Sequence, residues 1–133
     1  MQKYFGNGRC MRYLLGVLLL VVSFTPNICR AEDMWIDHWQ SENVDIYVMV
    51  ETLGGDFSAN GRYFNVSTKE VRNGELIKMI EWSFSQINSD FWRYETNTMK
   101  GTHTTAVIPK NRLFEFCMDR LGWDYRIKER WYY

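Results

Sequence analysis

Between positions 43 and 67 the chain reads NVDIYVMVETLGGDFSANGRYFNVS, and apolar residues recur there at every second place. Val44, Ile46, Val48, Val50 and Thr52 alternate with Asp45, Tyr47, Met49 and Glu51, the period of a half-buried strand. Asn60-Gly61 is a strong hairpin signal, because a type I′ turn needs positive φ at both central residues. A two-residue loop there sets Ala59 opposite Arg62 and Phe57 opposite Phe64. A second reversal at Gly54-Gly55 brings Val50 opposite Ala59. Together the turns place Val48, Val50, Phe57, Ala59, Phe64 and Val66 on one face. A bulge at Gly54-Gly55 inside one longer strand is the alternative.

Downstream the period changes. Ser67 and Glu70 have capping-box spacing, and Asn73 offers a second N-cap before Gly74-Glu75. Leu76, Ile77, Ile80, Phe84 and Ile87 follow at helical intervals, with Glu75, Lys78, Glu81 and Ser85 off that stripe. The pattern predicts a long helix over about residues 74–88, packed on the Val/Phe face of the strands. Residues 91–96 (FWRYET) and 103–108 (HTTAVI) read as strands, and Pro109 stops the second. Asn111 caps a shorter helix over 112–121, with Leu113, Phe116, Cys117 and Leu121 inward and Gly122 at its C-cap. Residues 123–133 (WDYRIKERWYY) read as a last strand, Tyr125, Ile127 and Trp131 on one face and Arg126, Lys128 and Arg130 on the other. The expected fold class is α+β: a small antiparallel sheet packed by one long and one shorter helix.

Composition divides the 133 residues into two parts. Residues 1–31 carry Lys3, Arg9, Arg12 and Arg30 with no acid, around the apolar run YLLGVLLLVVSF and ahead of Cys29-Arg30-Ala31. This is the layout of a secretory signal, and the run is shorter than the roughly 18–20 residues of a spanning helix. Three readings stand: a signal cleaved before Glu32, an uncleaved membrane anchor, or an over-called N-terminus with Met34 as the true first residue. The first two make the protein exported, periplasmic or membrane-tethered, with membrane contact only through the leader if it is not cleaved; the third makes it cytoplasmic. Residues 32–133 have room for a single α+β domain. Once the leader is gone Cys117 is the one thiol left, so no internal disulfide forms, and its apolar neighbours predict burial.

Residues 32–133 hold 12 basic and 16 acidic residues, a net charge of −4. Seven of the acids (Glu32, Asp33, Asp37, Glu42, Asp45, Glu51 and Asp56) precede the first Lys or Arg of this part, Arg62. That layout argues against nucleic acid as a partner. His38 and His103 are far apart and belong to no metal-ligand spacing, and neither a nucleophile turn nor a phosphate-cradling loop is present. No catalytic residue, cofactor or metal is therefore expected. Six Trp and eight Tyr beside an acidic segment suit a surface that recognises a basic protein. The candidate contact residues are Trp35, Asp37, Trp39, Glu42, Asp45, Tyr47, Glu51 and Asp56, with Trp35 and Trp39 on one side of a helical turn.

The stretch DIYVMVETLGGDFSANGRYFNVS, with ELIKMIEWSFSQI after it, resembles the opening of a family of bacterial contact-dependent growth inhibition immunity proteins. The resemblance covers roughly residues 44–88: a strand, a Gly-Gly-Asp-Phe turn, an Asn-Gly hairpin and an amphipathic helix. It implies a small non-enzymatic protein that binds and blocks the toxic C-terminal domain of a cognate toxin, often a nuclease with a basic groove. The family has no shared catalytic residues to carry over. A leader departs from this role wherever the toxin acts in the cytosol. The alternative is a small exported envelope protein with a structural or host-contact role.

Overall fold

A computed structural model describes residues 32–100 and 104–133 of the chain. The leader and His103 lie outside the described residues. Six antiparallel strands form one sheet in chain order: β1 (Asp33–Trp39), β2 (Val44–Ser58), β3 (Gly61–Arg72), β4 (Glu75–Ile87), β5 (Arg93–Thr96) and β6 (Thr105–Ala106). One helix, α1 (Arg112–Leu121), and a small hairpin, β7 (Ile127–Lys128) with β8 (Trp131–Tyr132), complete the domain. Among the described residues the fold is thus a sheet meander with one short helix, and the expected α+β packing by a long and a short helix is overturned.

The long helix is β4. Asn73 (φ 51°) and Gly74 (φ 79°) form a two-residue hairpin loop between Arg72 and Glu75, both in the left-handed region that a type I′ turn requires. An N-cap would be extended instead. Ile80 and Phe84 are four apart, a spacing that satisfies periods of both 2 and 3.6, and both are buried. The residues that fit only the helical period are Ile77 and Ile87, exposed at 47% and 54%; Leu76, four from Ile80, is turned outward by a bulge at Ile77. Ser67 and Glu70, read as a capping box, are mid-strand in β3.

Parity holds at the start of β2, where Val44, Ile46 and Val48 are buried. Gly54-Gly55 is no reversal; β2 runs through it with a large bulge, as the alternative had it. Met49 pairs with Ser67 and Gly54 with Asn65, so residues 50–53 stand against Val66 alone. The Thr52 hydroxyl spans the gap, donating to the Met49 carbonyl (2.7 Å) and accepting from the Ser67 N–H (2.8 Å). The β2–β3 loop is Ala59-Asn60, with Ser58 opposite Gly61 and Phe57 opposite Arg62, two places from the expected register. The facing stays the same, but Phe57 and Ala59 end exposed beyond the core.

The inner face of the sheet (Val48, Phe64, Val66, Phe84) packs with Trp92, Val107, Leu113, Phe114, Cys117, Met118 and Tyr132 in one core. Phe64 stacks on Phe84 (ring centroids 4.6 Å apart), and Phe114 meets Tyr132 at 4.5 Å. The helix is as its caps predict: Asn111 Oδ1 accepts from the Phe114 N–H (2.9 Å), and Gly122 (φ 67°) closes the other end. Phe114 and Met118 are buried in place of the expected Phe116 and Leu121, which are half-buried. The last strand is instead a hairpin turning at Glu129 (φ 58°), which buries Tyr132 and leaves Ile127 exposed.

Candidate functional site

Helix and C-terminal hairpin both pack on the inner face, so the outer face of the sheet has no covering element among the described residues. Cross-strand pairing lays its first four strands out as a grid. One row runs His38–Asp45–Val71–Leu76, the next Trp35–Tyr47–Lys69–Met79, and the third Asp33–Met49–Ser67–Glu81. Two bulges make the rows line up. Trp35 pairs with Tyr47 but Asp37 with Ile46, so Ile36 is an extra residue that brings Trp35 and His38 to the same side. Ile77 is the extra residue of β4 and does the same for Leu76 and Met79.

The rows combine aromatic and thioether groups with carboxylates. Trp35 is 50% exposed, Leu76 55% and Met79 47%. Asp45 fixes the tryptophan: its Oδ1 accepts from Trp35 Nε1 (3.0 Å) and lies 3.0 Å from His38 Nδ1. These bonds, the Trp35 one foremost, hold the Asp45 carboxyl below the usual carboxylate range. Asp33 Oδ2 accepts from Lys69 Nζ (2.6 Å), tying β1 to β3 across the face. A large side chain held in one orientation before binding loses less freedom on contact than a mobile one.

Of the eight candidate residues, Trp35, Asp45 and Tyr47 come together in this grid. Trp35 and Trp39 are on a strand, not a helical turn, and the Ile36 bulge sends them to opposite faces. Asp37 and Trp39 face α1, where Asp37 Oδ1 is 3.8 Å from Arg112 and both line a cavity of about 190 Å³ with Trp82 and Leu113. Glu42 lies in the β1–β2 turn, its carbonyl accepting from Arg72 (2.8 Å). Glu51 is exposed in the β2 bulge. Asp56 is on the outer face opposite Tyr63, six residues along β3 from Lys69 and so about 20 Å from the Trp35 row.

Residues of the grid that the sequence reading missed include Asp33, His38, Lys69, Leu76, Met79 and Glu81. Leu76 and Met79 were hidden by the helical reading of β4, and His38 by the Ile36 bulge; the Asn73-Gly74 turn was the signal for the first pair. The His38–Asp45 couple has no hydroxyl or thiol bonded to it, and no group of three or more metal-ligating side chains occurs among the described residues. No helix among them is long and apolar enough to cross a membrane. What the arrangement offers chemically is a firm, partly apolar contact surface edged by Asp33, Asp45 and Glu81. Comparison with known proteins finds no matching family model, no similar curated protein and no similar solved structure.

Proposed function

We propose that this chain is a non-catalytic binding protein that occludes a basic protein partner with the outer face of its sheet. Within that class its role is that of an immunity protein, neutralising the toxic domain of a contact-dependent growth inhibition system. The observation that carries the reading is the outer-face row Trp35–Tyr47–Lys69–Met79, with exposed Trp35 and Met79 at its two ends, exposed Leu76 in the row beside it, and carboxylates at its edge. Exposed aromatic and apolar side chains set among polar ones on an uncovered face suit a protein contact site. The acids of β1 and β2 supply the charge that would draw a nuclease's basic groove. Support from family resemblance rests on the opening strand and the hairpin after it, because Gly54-Gly55 is a bulge inside β2 and not a turn, and residues 75–87 form a strand and not the expected helix.

The test begins at the locus, with a neighbouring gene for a large secreted toxin. Its C-terminal domain, purified and titrated with this chain, is expected to form a 1:1 complex. Trp35→Ala and Met79→Ser should each weaken that complex about tenfold or more, with circular dichroism unchanged. No complex, or one indifferent to both substitutions, overturns the reading.

The leader favours a second role, a small exported envelope protein with a structural or host-contact function. Intact mass of the native protein separates the two, since immunity to a cytosolic toxin requires a start at Met34. Cleavage before Glu32 keeps β1 whole, whereas a start at Met34 removes Asp33 and its ion pair to Lys69.

A further inference from the structure

At the end of the sheet away from the Trp35 grid lies a cleft of about 600 Å³, within the size range of small-molecule sites. Three segments meet there: the Ala59-Asn60 turn, the Asn88-Ser89 turn after β4, and the strand pair ending in Tyr133. Its lining includes two arginines, Arg62 and Arg126, and no Asp or Glu side chain.

Arg62 is held in place by neutral groups. Its Nε (3.1 Å) and one terminal nitrogen (2.7 Å) donate to Gln86 Oε1, and the other terminal nitrogen donates to the Asp124 carbonyl (3.1 Å). The guanidinium also lies 5.2 Å from the Trp92 ring centre and 5.7 Å from that of Trp123. A guanidinium carries five N–H donors, so two remain for a ligand. Arg126 is exposed, and its main chain pairs with Tyr133 at 2.9 and 2.8 Å. Lys69, Arg93 and Arg112 each have a carboxylate within 4 Å, but among the described residues neither Arg62 nor Arg126 does. Two cations in a concave site, neither with a carboxylate within 4 Å among the described residues and one of them immobilised in advance, match a carboxylate or phosphate, which accepts paired N–H bonds. Asn60, Asn88 and Ser89 add polar groups that suit ligand hydroxyls, and Phe57 and Tyr133 add apolar surface.

We propose that this cleft binds a small hydroxylated organic anion, carrying a carboxylate or a phosphate, through Arg62 and Arg126. The site is separate from the outer-face surface and does not depend on it. Calorimetric titration with glucuronate, with inorganic phosphate and with neutral glucose tests it. Saturable binding of one or both anions and none of glucose is expected, and the tighter anion identifies the headgroup. Arg126→Gln should weaken binding about tenfold with an unchanged melting temperature, since the side chain is exposed. Arg62→Lys keeps the charge but loses the fixed fork, and should weaken binding as well. The proposal is overturned by no saturable response to either anion at roughly tens of millimolar. Equal binding of glucose, or an Arg126→Gln variant that binds as the parent does, overturns it too.

Discussion

Thr52 closes the gap that the β2 bulge opens in the sheet. Three extra residues on one strand leave ladder groups without their usual partners, and a single hydroxyl answers both the Met49 carbonyl and the Ser67 N–H. Because the excess is odd, it also reverses the facing of everything beyond it. Val48 before the bulge and Phe57 after it therefore look to the same side despite their odd separation. Thr52→Val keeps the shape and removes both bonds, leaving two part-buried backbone groups unpaired. It should cost about 1–3 kcal/mol in urea denaturation, with Thr52→Ser restoring most of the loss. An unchanged midpoint for Thr52→Val would show that water serves these groups equally well.

At the scale of elements, what could be read in advance depended on whether a signal had one meaning. Helix α1 was legible because N-cap, apolar stripe and C-cap glycine all agree. The first seven residues of β2 were legible because strict alternation has no helical counterpart. Residues 75–87 were not, because Ile80 and Phe84 fit both periods and Asn-Gly serves either as a cap before a helix or as a hairpin loop. The β-branched and aromatic content of that stretch, with no alanine, was the weaker clue that pointed the right way. A long β3 with an unpaired edge decides the matter, since β4 satisfies its backbone and a helix does not. Gly74 gives a test by sign. Its φ of 79° disfavours any side chain, although a Cβ there would meet nothing within 4 Å. Gly74→Ala should therefore destabilise by about 1–2 kcal/mol, a conformational penalty with no steric part. In a helix the same change would stabilise by roughly 1 kcal/mol, so a raised melting temperature would return residues 75–87 to the helical reading. Gly61→Ala should cost more than Gly74→Ala, because its Cβ would sit 1.8 Å from the Gln86 carbonyl oxygen.

Across the whole domain, the two proposed surfaces occupy opposite ends of the strands. Lys69 of the grid and Arg62 of the cleft are seven residues apart on β3, about 23 Å. The acidic bias of the grid was legible in the sequence, but its membership was not, since bulges at Ile36 and Ile77 set which residues share a face. Between the two ends lies a core holding two weak acids whose protons the fold retains. Burial pushes the Cys117 thiol up to about 12 from its ordinary 9.0. Burial, and then donation to Glu115 Oε1 at 2.6 Å, pushes the Tyr132 hydroxyl from 10.0 to about 12. Unfolding releases both groups to ordinary solvent, where they ionise near 9 and 10. Between those values and about 12 the unfolded chain therefore binds fewer protons than the folded one, and stability must fall as pH rises. The contribution is complete below about pH 9, declines with Cys117 first, and steepens once Tyr132 joins near pH 10, at up to about 1.4 kcal/mol per pH unit for each group. Urea midpoints measured from about pH 8 to 11 should trace that two-stage decline. Cys117→Ala should remove the earlier stage, and Tyr132→Phe should shrink the later one, to which Tyr125, also raised by burial, contributes, each measured against its own value at about pH 8. A parent protein whose midpoint holds level to about pH 11 would place both groups in contact with water and break the packing described for α1 and β8.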